Sequence, residues 1–233
     1  MISLKMILSF PKILWINLRI FPLRTALKLP IWIHYKTKIA FVHRGCIKID
    51  EQNIKPGMIR IGCSMGSAGV FNGAYPKESG GGYIDIKKNC SIEFLGEAQL
   101  AGGISLRADK GGSIIFGKNF TCNSYCFFAA NKMISFGDNC TLGWNVNIRD
   151  VYGHSVCNKN DMDKKAVNMP RSVVIVDHVW IAANVNILKG TSIPNDCVVA
   201  YGSMLTGQKF SEDNAIIGGN PPRVLKEDMT WYF

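Results

Sequence analysis

The sequence predicts an all-β solenoid, a chain wound into stacked triangular coils, and three observations carry that expectation. An apolar residue recurs at every sixth position from Ile175 through Ile181, Ile187, Ile193 and Val199 to Leu205. Four residues after these marks stand small or β-branched side chains: Val179, Val185, Thr191, Cys197 and Ser203. Asn, Asp and Gly gather at the turns, as in Gly137-Asp138-Asn139 and Pro194-Asn195-Asp196, where a left-handed backbone is needed. A period of six is neither the 2 of a strand nor the 3.6 of a helix. It fits short strands separated by corners, three strands to a coil, each side burying one large side chain in a shared axial core.

The first element is a basic, apolar leader over residues 1–49. The chain has 233 residues, 47% hydrophobic and 19% charged, which suits one domain with a real core and rules out wholesale disorder. Its net charge is +10, yet residues 1–49 hold nine Lys or Arg and no acidic residue, so the remainder sums to +1. Nucleic-acid binders more often carry such charge on the folded domain, so no nucleic-acid partner is expected. The apolar runs between Lys5, Lys12, Arg19 and Arg24 are six, six and four residues, against the ~20 needed to span a bilayer. On a helix, Lys5, Lys12 and Arg19 would form one stripe; Pro11, Pro22 and Pro30 are expected to divide the leader into short helices or extended pieces. Two uses are open for residues 1–40: contact with an anionic membrane surface, or packing on the chain's own domain or a neighbouring subunit.

Residues 50–83 read as irregular entry strands, 84–208 as the solenoid, and 209–233 as a C-terminal tail. Upstream marks run Ile86, Ile92, Ala98 and Ile104, lapse at Lys110, resume at Phe116, Cys122, Phe128 and Ile134, then slip by two to Phe136, Leu142 and Ile148. Cys90, Cys122, Cys126, Cys140 and Cys197 fall on positions of the repeat, where a free Cys packs as a small hydrophobe in a reducing cytosol. No CxxC pair occurs, so no structural zinc site is expected.

Ile181-Ala182-Ala183-Asn184-Val185-Asn186-Ile187-Leu188-Lys189-Gly190-Thr191-Ser192-Ile193 resembles the bacterial hexapeptide-repeat acyltransferases. So do Val198-Val199-Ala200-Tyr201-Gly202-Ser203 and the closing Gly218-Gly219-Asn220-Pro221-Pro222-Arg223-Val224, where relatives usually have Ala at the place of Pro222. The resemblance covers more than half the chain. It implies a left-handed parallel β-helix, usually a homotrimer, that moves an acyl group from a coenzyme A thioester to a hydroxyl or amine.

Val146-Asn147-Ile148-Arg149-Asp150-Val151-Tyr152-Gly153-His154 closes the upstream run, and His154 falls where the repeat calls for a buried aliphatic. A polar break, residues 155–172, follows. A solenoid interrupted beside an off-pattern His suggests a built site. Transfer to an alcohol needs a base for the hydroxyl proton, and imidazole, with a pKa near 6.5, suits that task at neutral pH. Family members place their catalytic His after such an Ile-x-Asp stretch, so His154 is assigned as general base and Asp150 as the group orienting its ring. Many relatives carry a second acidic residue two before the His, where this chain has Tyr152.

By the same resemblance Ala183, Gly202 and Ser203 would line the pantetheine arm of acetyl-CoA. Lys189, Lys209 and Arg223 are candidates for its phosphates. Trp180, Asn145 and Tyr152 are assigned to the acceptor. His178 reads as a turn residue, and no metal is expected: only His154 and His178 lie in the repeat, too few for a zinc site of the carbonic-anhydrase kind. The expectation is a cytoplasmic acetyl-CoA-dependent O-acetyltransferase with a saccharide acceptor, of the surface-polysaccharide type, with the inner membrane surface open as its place of work. The alternatives are a non-catalytic trimeric scaffold, an N-acyltransferase on an amino sugar, or a serine-acetyltransferase-like enzyme.

Overall fold

The computed structural model describes residues 4–63, 81–163 and 165–232. Short strands stack into three parallel sheets of nine, seven and six strands, the faces of a triangular prism, with one antiparallel strand closing the first. Chain order runs face one, face two, face three, then back to face one on the next coil. This is a parallel β-helix, as the period predicts.

Residues of one face pair in register up the prism. On face one, Ile61, Leu100, Cys122, Leu142, Ile181, Val199 and Ile217 succeed one another as inward neighbours. All are essentially fully buried. Coils are 18 residues long from Ile181 to Val199 and from Val199 to Ile217, where strands of two residues alternate with four-residue corners. Upstream the strands lengthen to three, four or five residues, with two inward side chains on most of them. The core there is aromatic: Phe94, Phe116, Phe120, Phe128 and Phe136 lie within ring contact of one another. The five repeat cysteines are buried and free, and burial pushes the Cys140 thiol up to about 12, which leaves it inert at neutral pH.

The domain boundaries differ from the expectation. Ile31–Ile33 already pairs with Ile59–Ile61 on face one, Lys38–Phe41 with Gly82–Ile86 on face two, and Ile47–Ile49 with Ser91–Phe94 on face three. The solenoid therefore starts at Ile31, inside the presumed leader, and takes in the entry strands; residues 64–80 of that span lie outside the described residues. It ends not at 208 but with Ile216–Gly219, which pairs with Val198–Val199 and then with Pro222–Lys226.

What remains of the leader is helix α1, Leu4–Ile20, followed by the single turn α2, Leu23–Ala26. Pro11 does not divide α1, because tertiary burial of Ile13, Ile16 and Ile20 offsets the proline's lost hydrogen bond. The helix closes an otherwise open end of the prism, where the first coil would present unpaired backbone. The buried Asn17 amide donates to Ile31 O at 2.8 Å and accepts from Ile31 N at 3.2 Å. Lys12 Nζ donates to the carbonyls of Tyr35 and Thr37, and Ser9 Oγ accepts from Tyr35 N.

Candidate functional site

The chain leaves the prism after Asn147–Arg149, at the corner between faces two and three, and rejoins it at Val173–Ile175. The intervening loop is fastened at both ends. At its root Asp150 O accepts from Arg171 N at 3.1 Å. Farther out Asn168 holds both arms: its Nδ2 donates to His154 O at 2.7 Å and its Oδ1 accepts from Val156 N at 2.8 Å. Asn168, which the sequence reading passed over, thus fixes the backbone of His154 and leaves the exposed imidazole free of that task.

Asp150 corrects an expectation. Its carboxylate is buried, with Oδ1 accepting from Asn131 N at 2.8 Å and Oδ2 from Lys132 N at 2.6 Å. Both oxygens serve the corner of the preceding coil, so Asp150 does not orient the His154 ring; it secures the loop root. Burial pushes its carboxyl above the usual range, partly offset by those amides. With the folded pKa above the unfolded one, the group's contribution to stability is present below the unfolded value and falls as pH rises through the raised folded one. Asp150→Asn can accept at only one of the two amides, so a loss of roughly 1–3 kcal/mol is expected. Thermal melts check it, and turnover per folded molecule should stay near that of the unaltered protein; a turnover collapse without a stability loss would restore the orienting role.

Lys189 is also corrected. It is 4% exposed, donates to Met169 O at 3.0 Å and lies 4.5 Å over the Tyr152 ring, so it pins the loop and is withdrawn from any phosphate. Burial, with the nearby Arg171 charge, lowers its pKa. Tyr152 is half-exposed beneath this contact.

Ala183, Gly202 and Ser203 do come together, at the corner between faces one and two, where Gly202 N donates to Ala183 O at 3.1 Å. Gly202, at φ +69°, has open space where a Cβ would stand. Ser203 is buried, its hydroxyl donating to Ala200 O and accepting from Gly219 N, so it shapes the corner and offers no group to a ligand. Asn145 belongs to this corner too: its Nδ2 donates to Asn184 Oδ1 at 2.8 Å, and Asn184 bonds Tyr201 Oη. That ladder explains the left-handed Asn residues and takes Asn145 away from the acceptor. Arg223 is exposed on the strand that closes face one, and Lys209 is exposed beside Ser192 on face three, so the three predicted cations do not converge.

Trp180 stands half-exposed on face one, beside Trp231 at 6.2 Å between ring centroids. Trp231 returns from the tail to stack on His178 at 4.4 Å, whose Nδ1 meets Asp196 Oδ1 at 2.8 Å. His178 is thus a tied turn residue, as expected.

Beside His154, Gly153 lines a groove of about 280 Å³ on face two with Arg107, Phe127, Ala129, Asn131 and Arg149. The two arginines project outward, and only the coil register reveals that they flank one another across Ala129. Among the described residues, no group of three His, Cys, Asp or Glu side chains is placed to hold a metal ion.

No family model matches the chain. An Escherichia coli K12 protein named provisionally as a lipopolysaccharide biosynthesis O-acetyl transferase, WbbJ, is 30% identical over 152 residues, 61% of this chain and 74% of the relative. The polysialic acid O-acetyltransferase of E. coli O1:K1 is 29% identical over 150 residues, and the chain spans only 44% of its length. Among solved structures, the polySia-specific acetyltransferase NeuO superposes with a TM-score of 0.57 at 23% identity, over 66% of this chain and 63% of the other, a likeness of fold.

Proposed function

This chain belongs to the hexapeptide-repeat acyltransferase family, and from that premise we propose that it is an acetyl-CoA-dependent O-acetyltransferase acting on a saccharide hydroxyl in surface-polysaccharide assembly. The observation that carries the reading is the exposed His154 on a loop fastened through its backbone, next to an open groove. Imidazole there takes the proton of the acceptor hydroxyl as its oxygen attacks the thioester carbonyl; the tetrahedral intermediate then expels the coenzyme A thiolate, which takes up a proton. Gly202 and Ala183 give the pantetheine arm a corner without bulky side chains, and Arg223, paired with Gly218 next to that corner, is the candidate for the phosphates. The donor corner and the His154 corner lie on opposite edges of face two, and a homotrimer would bring one subunit's loop to a neighbour's donor corner. The primary test is calorimetry with acetyl-CoA followed by a thiol-release assay across nucleotide sugars and oligosaccharides. Absence of both binding and release leaves the non-catalytic scaffold.

The leader supports a second part of the proposal, work at the cytoplasmic face of a membrane. No described helix is long and apolar enough to cross one. Yet α1 is apolar on both sides: opposite its buried face, Leu4, Ile7, Leu8, Trp15 and Leu18 are exposed, and Arg19, Arg24 and Lys28 stand nearby. Such a helix lies in the interface of an anionic bilayer. The full-length protein is expected to sediment with phosphatidylglycerol vesicles and not with phosphatidylcholine ones, and Leu8→Glu with Trp15→Glu to abolish it. Sedimentation unchanged by the double substitution sinks the membrane contact.

A further inference from the structure

The sum of +1 over residues 50–233 hides one strongly basic edge, which begins at Arg44 in the first coil. The corner between faces two and three turns at Arg44, Lys88, Lys110 and Lys132 on four successive coils, all exposed, and the fifth turn at this corner is the His154 loop. Beside this column Arg107 and Arg149 pair with Ala129 from either side. Rungs of a sheet are roughly 4.8 Å apart, so the two arginines stand about 10 Å apart with a methyl group between them, a gap the width of a carboxylate or sugar ring. Among the described residues no carboxylate pairs with either guanidinium. Two acids share this edge: Asp85, the in-register neighbour of Arg107, is paired with Lys87 at 2.9 Å, and Asp109, which lines the groove, accepts from the Lys110 amide at 2.8 Å and keeps its charge, so the basic side chains outnumber the carboxylates here. Arg149 is held by Asn147 Oδ1 at 2.9 Å through its Nε, which leaves its terminal N–H groups for a ligand.

We propose that this edge is the acceptor site and that the acceptor is an acidic saccharide, with one anionic group between Arg107 and Arg149 and its chain along the Lys110–Lys132 column. The assignment rests on the acetyltransferase reading and deepens it by naming the acceptor class. The groove opens at Gly153, so a sugar bound there presents its hydroxyls beside His154. A column of one sign also concentrates and orients an extended polyanion. A single-stranded nucleic acid fits less well, because it needs free aromatic faces for its bases. Phe41 and Phe127 on this edge are already covered, by Lys87 at 5.6 Å and by Arg149 at 4.6 Å.

The test is calorimetric titration of the full-length protein with hexagalacturonate, maltohexaose, a charge-matched oligothymidylate and coenzyme A. Hexagalacturonate is expected to bind at least on the order of tenfold more tightly than maltohexaose, and Arg107→Gln or Arg149→Gln to erase that preference. Coenzyme A binding should be unchanged in both variants. Arg107 is exposed and outside the core, so that variant keeps the test sound should Arg149→Gln fold poorly. Equal binding of the charged and neutral sugars, a preference that survives Arg107→Gln, tighter binding of the oligothymidylate, or loss of coenzyme A binding in that variant overturns the proposal. Failure of the enzyme reading shows separately, as absent acetyl-CoA binding and thiol release.

Discussion

Replacing His154 with Ala is expected to lower turnover by about 10²–10⁴ while the chain keeps its fold, the range typical of a lost general base. The structure makes this a clean deletion. The loop is held by Asn168 through backbone atoms of His154 and Val156, by the Asp150 root and by Lys189 on Met169 O, none of which uses the imidazole. The His154 side chain is exposed, so removing it opens no cavity. The melting temperature and the affinity for acetyl-CoA should therefore be unchanged, and the whole effect should fall on kcat, the mark of an interaction made only in the transition state. Thiol release under saturating acetyl-CoA measures it. Undiminished turnover would remove His154 from the chemistry, and a parallel fall in melting temperature would make it a structural residue.

The coils were readable where strands and corners are shortest. From Ile181 to Leu205 each strand buries one side chain, and every sixth residue is therefore inward. Upstream the strands bury two, so the apparent slip from Ile134 to Phe136 is no slip: both lie on the strand Met133–Phe136 and both are buried. The lapse at Lys110 is a corner of a longer coil. The first coil was missed for the same reason, since Ile31-Trp32-Ile33 and Ile59-Arg60-Ile61 carry a strand period of two and no period of six.

The site divides in the same way. His154 stood out because a polar insertion interrupts the repeat beside it, a local signal. Arg107 and Arg149 did not, because 42 residues of chain separate neighbours that only the coil register brings together. Asp150 was seen and misassigned: a carboxylate four residues before a His looks like its partner, yet two amide donors one coil away claim it first. Trp231 was invisible for want of any local pattern; its contact with His178 spans 53 residues.

The second large effect is on stability, at the centre of the aromatic core. Phe116→Ala is expected to cost roughly 3–5 kcal/mol, because a fully buried ring is lost and a rigid surround cannot close the space. Phe116 touches four other rings: Phe94 and Phe136 stacked on either side at 5.1 and 5.6 Å, Phe120 at 4.5 Å, and Phe128 edge-on at 5.6 Å. Each is 2% exposed or less. In a solenoid every coil rests only on its neighbours, so stability passes along the stack through such contacts. Phe116 belongs to the third coil, between the end closed by α1 and the coil bearing His154. Its loss weakens the junction between those halves. For a chain of this size each kcal/mol is worth about 2–4 °C, so melting should fall by roughly 6–20 °C. Phe116→Leu, which retains much of the volume, should lose less. If the two substitutions melt alike and close to the unaltered protein, the aromatic column does not couple the coils, and the basic edge that crosses the same junction would lose its rigid support.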